Sequence, residues 1–227
     1  MLRANRWILL LAYLIALRCT AQSVDVSLRV QFRDAANSLR GDTPVVVWLS
    51  PLDAATAPVR PMRTYRMEQK NKQFTPHLLV VPVGSTVEFP NLDPFFHNVF
   101  SLFNGRRFDL GLYETGKSQA VKFSREGVSY IFCNIHPEMG GIVLSLTTPY
   151  YAFASAGILS ILGVPPGSYK LGVWSERAST ASLAAAARNI TVAAGHRDAG
   201  LITLELLPLA RKSHQNKFGE RYPLEQR

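Results

Sequence analysis

The residues with the clearest chemical potential lie in one short segment, Cys133-Asn134-Ile135-His136-Pro137-Glu138-Met139. The pattern C-x2-H-x2-M places a thiol, an imidazole and a thioether close together in the chain. A second histidine, His97, lies upstream in Asn91-Leu92-Asp93-Pro94-Phe95-Phe96-His97-Asn98-Val99. Sulfur and imidazole donors together are the ligands that a soft transition metal prefers. We therefore take His97, Cys133, His136 and Met139 as candidate metal ligands.

The combination of donors indicates which metal to expect. Two histidines and a cysteine in a plane, with a weak axial methionine, form the ligand set of a type 1 (blue) copper site. An apolar strand that ends at Cys133 would deliver the thiolate from a rigid sheet, and a tight loop would return His136 and Met139 to the same point. Pro137 stiffens that loop, and Gly140-Gly141 lets the chain enter the next strand. The upstream histidine must then come from a neighbouring strand.

The first 21 residues have the features of a secretory signal peptide. Arg3 and Arg6 precede an apolar run from Trp7 to Leu17, and Cys19-Thr20-Ala21 provides small residues at a cleavage site. The run is shorter than the roughly 20 residues that cross a bilayer, and no later segment is long enough to do so. We expect residues 1–21 to be removed and the protein to be periplasmic.

Cysteine usage supports a metal. The chain has two cysteines, and Cys19 leaves with the predicted signal peptide. Exported proteins normally pair their cysteines, so a lone Cys133 requires burial, catalysis or a metal to explain it. Its neighbours favour the metal.

Composition and charge exclude other classes. The chain of 227 residues is 47% hydrophobic and 18% charged, which is ordinary for a globular protein. Three of its nine net positive charges lie in the predicted signal peptide, and the tail from Arg211 holds five basic and two acidic residues. Because no basic face with base-reading groups is evident, we expect no nucleic-acid partner. The tail, residues 209–227, is predicted to be polar, solvated and poorly ordered.

Hydrophobic periodicity predicts an all-β protein. Residues 24–32 alternate between apolar and polar, as in a half-buried strand, and many short strands separated by turns follow. A break near Pro149 predicts a copper domain over 22–148 and a smaller β-sandwich over 149–208. Between two later strands, the alanine-rich segment 178–188 fits either a helical turn or a flexible loop.

The segment from about Phe74 to Leu146 resembles a cupredoxin. The matching phrases are Phe74-Thr75-Pro76-His77, Val81-Pro82-Val83-Gly84-Ser85-Thr86-Val87, His97-Asn98-Val99-Phe100-Ser101, Phe108-Asp109-Leu110-Gly111 and Phe132-Cys133-Asn134-Ile135-His136-Pro137. The short ligand loop is similar to that of amicyanins, and the wider match is to bacterial plastocyanin-like or methylamine-utilisation proteins. The resemblance implies a Greek-key β-sandwich with one type 1 copper. It also implies that Asn98 ties the two ligand loops together and helps tune the thiolate.

The later segment, about 150–206, resembles a small β-sandwich of the carboxypeptidase-regulatory (prealbumin-like) type. Its matching features are Gly163-Val164-Pro165-Pro166-Gly167-Ser168-Tyr169 and Val173-Trp174. The short acidic glycine turn usual between the first two strands of such domains is replaced here by Ser155-Ala156-Gly157.

Several residues near the motifs have open or minor roles. His77 fits an extra ligand, a partner of a ligand or a packing residue, and we expect His196 and His214 to face solvent. Asp93 and Glu138 are expected to be solvated. Four apolar residues near the motifs either form a docking patch around the exposed edge of His136 or belong to the ordinary core: Phe95, Phe96, Pro137 and Met139.

The leading hypothesis is one-electron transfer between redox partner proteins, without enzymatic chemistry. The alternative is a copper-binding protein for delivery, storage or sensing, which needs an exchangeable ion. A third hypothesis is a structural or adhesion module in which the metal only stabilises the fold. Multicopper catalysis is not expected, because the His-x-His pairs that further coppers need do not occur. A serine hydrolase is not supported either, because there is no Gly-x-Ser-x-Gly motif.

Overall fold

The computed structural model describes residues 22–34, 39–40, 43–53, 64–102, 106–155, 157–195, 197–208 and 214–222. The predicted signal peptide lies outside these residues. Eighteen strands and one helix occur within them, as follows: β1 (Val24–Arg33), β2 (Leu39–Arg40), β3 (Val45–Pro51), β4 (Tyr65–Arg66), β5 (Glu68–Lys70), β6 (Gln73–Thr75), β7 (Leu78–Pro82), β8 (Thr86–Pro90), β9 (His97–Ser101), β10 (Phe108–Tyr113), β11 (Ser118–Lys122), β12 (Gly127–Phe132), β13 (Gly140–Leu146), β14 (Tyr151–Ala154), β15 (Gly157–Val164), β16 (Gly167–Trp174), α1 (Thr180–Ala186), β17 (Arg188–Val192) and β18 (Asp198–Glu205).

The all-β fold class is confirmed. The alternation predicted for residues 24–32 appears in β1 as alternating buried and exposed side chains. The alanine-rich segment forms α1, which Ser179 caps through its side chain. The part of the chain that the structure describes contains no helix that is both long enough and apolar enough to cross a bilayer.

The metal-ligand candidates belong to a β-sandwich in the middle of the chain. One of its sheets has the strand order β10-β9-β12-β13-β7 and faces a smaller sheet of order β11-β8-β4, while β5 and β6 form a hairpin beside them. Its core contains Phe89, Val99, Phe123, Ile131 and Val143, all at most 1% exposed. β9 and β12, which carry or precede ligand candidates, are neighbours in the larger sheet.

The second sandwich is not assembled as the sequence boundary predicted. β1 pairs with β15 and β18, and β3 pairs with β14 and β16. Segments that we had placed in the copper domain of 22–148 therefore complete the sheets of the segment 149–208. The physical reason is that the period of a strand reveals its buried face and not its pairing partner.

An apolar seam joins the two sandwiches. Val46 of β3, Trp174 of β16 and three alternate residues of β13 are buried together there: Ile142, Leu144 and Leu146. The intervening Val143 points the other way, into the core beneath the candidate ligands. β13 is thus buried on both faces, which accounts for its apolar run Ile142–Leu144. The strand that follows the ligand loop is consequently held from both sides.

Candidate metal centre

Two neighbouring strands and the loop that follows one of them bring the predicted ligands together. His97 is the first residue of β9, and Cys133 directly follows the last residue of β12. His136 and Met139 lie in the loop between β12 and β13. That loop closes on itself, because the Cys133 amide donates to the Met139 carbonyl (3.2 Å) and the Met139 amide to the His136 carbonyl (3.1 Å).

Three of the four predicted ligands converge. The Sγ of Cys133 lies 3.7 Å from Nδ1 of His97 and 3.5 Å from Nδ1 of His136. All three donor atoms lie within 4.8 Å of one another. Within the described parts of the chain, these three residues form the cluster of His, Cys, Asp or Glu side chains that could hold a metal ion. Cys133 is a free, buried cysteine.

The two sulfur–nitrogen spacings fit a single transition-metal ion. A first-row ion binds thiolate at about 2.3 Å and imidazole nitrogen at about 2.0 Å. Donor angles between tetrahedral and trigonal-planar would then separate sulfur from nitrogen by about 3.5 to 3.7 Å. Both observed sulfur–nitrogen distances fall in that interval. One thiolate and two imidazoles form the donor set that copper favours.

Met139 is buried in the same apolar cluster as the Cys133 thiol, with 1% of its surface exposed. Its backbone closes the ligand loop, as described above. A role as the weak fourth ligand stays a prediction.

The surroundings of the Cys133 sulfur favour a thiol until a cation is present. Burial raises the pKa of Cys133, although hydrogen bonds from the backbone amides of Asn98, Ile135 and His136 oppose that shift. Those three N–H groups are suited to a sulfur that carries negative charge. A bound metal ion supplies the missing positive charge, since a thiol that coordinates a metal is deprotonated.

Asp93 orients His97, contrary to the expectation that this carboxyl is solvated. Its side chain is 5% exposed, and Nε2–H of His97 donates to its Oδ2 at 2.8 Å. The amides of Asn71 (2.6 Å) and Lys72 (2.9 Å) donate to the same carboxylate. Burial alone would raise the pKa of Asp93, but these hydrogen bonds outweigh burial and hold it below its ordinary value.

The carboxylate of Asp93 fixes the tautomer of His97. A proton held on Nε2 by a carboxylate leaves Nδ1 with a free lone pair, and a carboxylate behind a ligating histidine is a common arrangement at metal sites. Here the free Nδ1 is the atom that faces Cys133. The turn that supplies the two amides has positive φ at both Asn71 and Lys72 (55° each), as in a two-residue hairpin turn between β5 and β6.

His136 is the ligand candidate nearest to solvent. His97 and Cys133 have no exposed surface, whereas His136 is half-buried. Burial lowers the pKa of His136, and the neighbouring His97 and Lys72 lower it further. The ring of Phe95 packs 5.6 Å from the His136 ring. The folded protein therefore favours the neutral imidazole that metal binding needs.

The predicted apolar patch around His136 is only partly present. Phe96 is 54% exposed and Ile135 is 36% exposed. Pro137 and Met139 are buried, so for these two residues the alternative of core packing is the one that holds. Glu138 is exposed, in agreement with its expected solvation.

Asn98 does not tie the two ligand loops together through its side chain. Its Nδ2 donates to Oδ1 of Asp109 (2.8 Å) and to the carbonyl of Gly111 (2.9 Å), both on β10. Its backbone amide, however, contributes to the environment of the Cys133 thiol. The side chain thus braces the edge of the sheet, and only the backbone acts on the sulfur.

His77 is not part of the converging group. Its Nδ1 lies 3.1 Å from the carbonyl of Gly140, and its Nε2 lies 2.9 Å from Oε2 of Glu176 in the second sandwich. Of the three roles left open, that of an extra ligand is not supported; the ring instead contacts the carbonyl of Gly140, directly after the ligand loop.

The part of the site that sequence reasoning missed is C-terminal. Residues 214–222 pack against the ligand loop. His214, which is expected from the sequence to face solvent, packs against Phe132 with ring centroids 4.4 Å apart and the rings tilted by 30°. The expectation for His214 is wrong, and the tail is not uniformly solvated. His196 lies outside the described residues. No periodicity or motif in the tail signalled this contact.

Comparisons with known proteins give likenesses among solved structures alone. No family model matches the chain, and no curated protein matches it. The predicted carboxypeptidase-regulatory character of the second sandwich therefore stays a prediction.

The solved structures that are similar to part of the chain include copper proteins. A Cu-containing nitrite reductase from Thermus scotoductus SA-01 is 24% identical over 44% of this chain and 26% of its own, with a TM-score of 0.37. A purple cupredoxin from Nitrosopumilus maritimus is 29% identical over 37% of this chain and 98% of its own, with a TM-score of 0.33. An amicyanin variant in the reduced state is 19% identical over 44% of this chain and 99% of its own, with a TM-score of 0.34. This chain thus spans about a quarter of the nitrite reductase, and the proposal below relies on the ligand geometry.

Proposed function

We propose that this chain is an exported, periplasmic type 1 copper protein that transfers single electrons between redox partner proteins and catalyses no reaction of its own. The observation that carries the proposal is the convergence of the Cys133 sulfur with Nδ1 of His97 and Nδ1 of His136, with His97 and Cys133 fully buried. Bound copper would supply the one-electron redox couple. His97, Cys133 and His136 would hold it, and Met139 would serve as a weaker fourth ligand.

The residues around the site are suited to electron transfer because they resist rearrangement. Asp93 fixes the ring of His97, three backbone amides face the sulfur, and β13 is packed on both faces. Ligands that keep one geometry in both oxidation states lower the cost of changing between them. A partner protein would approach at His136, because the other two converging ligands have no exposed surface.

Copper delivery, storage or sensing is the second candidate, and it shares the same ligands. It requires that the ion exchange readily with a partner. The burial of His97 and Cys133 argues against rapid exchange, since a competing ligand would have to enter beside the half-buried His136.

The decisive experiment is addition of Cu(II) to the purified, metal-free protein. Thiolate coordination predicts an intense visible charge-transfer band and a narrow copper hyperfine splitting in the EPR spectrum. Cys133→Ser should abolish both signals, whereas His77→Ala, which removes a histidine outside the converging group, should leave both in place. A colourless preparation that binds copper would contradict the type 1 assignment.

Voltammetry and chelator competition separate the two candidate functions. Electron transfer predicts a reversible wave with fast kinetics and slow loss of copper to excess chelator. Delivery predicts rapid loss to the chelator and a slow or irreversible wave, and that result would favour the second candidate.

A further inference from the structure

The segment His214–Tyr222, here called the C-terminal strap, makes four polar contacts with the ligand loop Cys133–Met139. The His214 amide donates to the Pro137 carbonyl (2.9 Å), and its Nε2 lies 3.2 Å from the His136 carbonyl. The Lys217 amide donates to Oδ1 of Asn134 (2.8 Å). The Tyr222 hydroxyl donates to the carbonyl of Cys133 (3.0 Å). The strap therefore contacts the backbone of two predicted ligands directly.

The strap also reaches the other ligand-bearing part of the site. The Lys217 Nζ lies 2.7 Å from Oδ2 of Asp109, whose Oδ1 accepts from Asn98, the residue after His97. Lys217 thus connects the ligand loop, through Asn134, with the sheet edge next to His97. The Asn98 side chain does not reach the ligand loop itself. Lys217 completes that link, because it contacts both Asp109 and Asn134.

Ring packing partly shields these contacts from water. The His214 ring lies 4.4 Å from that of Phe132 and 5.5 Å from that of Tyr222. Tyr222 is 6% exposed, and its burial raises the pKa of its hydroxyl, which keeps the group a donor. A hydrogen bond in such an environment is stronger than one in water.

The strap has internal order that lets it act as a unit. The Asn216 amide donates to the Glu220 carbonyl (2.9 Å), and Oδ1 of Asn216 accepts from the amides of Phe218 and Glu220 (2.9 Å each). Gly219 permits the turn with its positive φ of 81°. The strap is therefore a closed turn and not an extended tail.

We propose that the C-terminal strap is a positioning element that holds the Cys133–Met139 loop in its ligating conformation and slows the loss of the metal ion. Within the loop, the backbone is closed by two hydrogen bonds of its own, Cys133 to Met139 and Met139 to His136. The strap adds contacts to the outward carbonyls of Cys133, His136 and Pro137. The effect on metal loss rests on the proposed copper site, but the effect on the loop does not.

The test compares matched hydroxyl and ring variants in the full chain. Tyr222→Phe removes only the donor to Cys133, and His214→Phe keeps a ring over Phe132 but removes its nitrogens. Tyr169→Phe is the control, because Tyr169 is also buried and its hydroxyl donates to a backbone carbonyl, that of Pro165 (2.8 Å), in the second sandwich.

The first measurement is hydrogen exchange of the loop amides in metal-free protein. The amides of Cys133 and Met139 should exchange about 2- to 10-fold faster in either strap variant, the loss expected for one hydrogen bond. The second measurement is the rate at which excess chelator removes copper from the loaded protein, which should rise by a similar factor. Tyr169→Phe should change neither rate.

Each outcome decides the proposal. Strap variants that match Tyr169→Phe in both loop exchange and copper loss would overturn it. Faster loop exchange in a chain that never forms the thiolate–copper band would sustain the positioning role while refuting the copper function. Circular dichroism on every variant verifies that the comparison is made between folded proteins.

Discussion

Nε2 of His97 lies 2.8 Å from Oδ2 of Asp93, and both side chains are almost completely buried. The carboxylate accepts three hydrogen bonds in all, since the amides of Asn71 and Lys72 also donate to it. The site therefore includes, besides the ligands that the sequence motifs indicate, a carboxylate that fixes the proton of His97 on Nε2. The ring can offer Nδ1 to a metal only because the carboxylate holds the proton on the opposite nitrogen.

Asp93→Asn should weaken both metal binding and the fold. The amide nitrogen that replaces one oxygen would face a backbone N–H that needs an acceptor, so the free energy of unfolding should fall by about 1 to 3 kcal/mol. Metal affinity should fall by about 10- to 100-fold, as is usual when the partner of a ligating histidine is lost. Titration of metal-free protein with copper, together with urea denaturation, measures both effects.

The control for that substitution is Asp25→Asn. Asp25 also accepts a backbone amide, that of Gly163 (3.0 Å), but it is exposed and belongs to the second sandwich. Its substitution should leave copper affinity unchanged. Equal affinity losses in the two variants would show that Asp93 has no special connection with His97.

Met139→Leu should show whether Met139 acts as a metal ligand or only as a packing residue. The swap nearly conserves volume, so the free energy of unfolding of the metal-free protein should change by less than about 1.5 kcal/mol. Loss of a weak sulfur donor destabilises the oxidised ion, and the reduction potential should rise. Met67→Leu is the matched control, since Met67 is buried in the same apolar cluster. A potential that shifts equally in both variants would exclude Met139 as a ligand.

Gly141→Ala and Gly140→Ala should differ sharply although the residues are adjacent. A Cβ at Gly141 would lie 2.9 Å from Cβ of Phe74 and 3.3 Å from Sδ of Met67, whereas one at Gly140 would meet nothing closer than a Phe132 ring carbon at 3.6 Å. We expect Gly141→Ala to cost about 1 to 3 kcal/mol through overpacking. Gly140→Ala should stay within about 0.5 kcal/mol of the parent. Urea midpoints measure the difference, and similar midpoints would show that the core beneath the loop yields easily.

This pair also shows where sequence reasoning was incomplete. The two glycines were interpreted as backbone freedom for entry into the next strand, yet neither has a positive φ. What demands glycine at 141 is the approach of Phe74, a residue far away in the chain. Contacts of that kind are a property of the assembled sandwich and leave no local signal.

The ligand set was predictable for the opposite reason. Cys133, His136 and Met139 lie in one short loop, so their spacing alone indicates a metal site. The burial of Asp93 depends on a turn more than 20 residues upstream, at Asn71 and Lys72. The strap depends on a polar tail with no hydrophobic period. Local chemistry could therefore be read from the sequence, while the structures that orient it could not.

As the pH is lowered, the free energy of unfolding of the metal-free protein should decrease in two stages. The pKa of His136 is lowered from its ordinary value of 6.5, so the folded state favours the neutral ring. Stability from this residue is complete above pH 6.5 and is lost as the pH falls through the folded pKa. The pKa of Asp93 is lowered from 3.8, so its contribution is present above about pH 4 and is lost only in stronger acid.

Urea denaturation at a series of pH values measures both stages, and two variants assign them. His136→Gln should reduce the slope of stability against pH below 6.5; some slope should persist, because burial also lowers the pKa of His214. Asp93→Asn should reduce the slope of the acidic stage; some slope should persist there, because the pKa of Asp109 is also lowered. Since the Asp93 charge raises the pKa of His136, its loss should shift the upper stage toward lower pH. Because copper binding also requires a neutral His136, copper affinity should decline in the same upper range. A pH profile that His136→Gln leaves unaltered would mean that this imidazole is as easily protonated in the folded state as in the unfolded chain, and the pocket would then not favour the neutral ring.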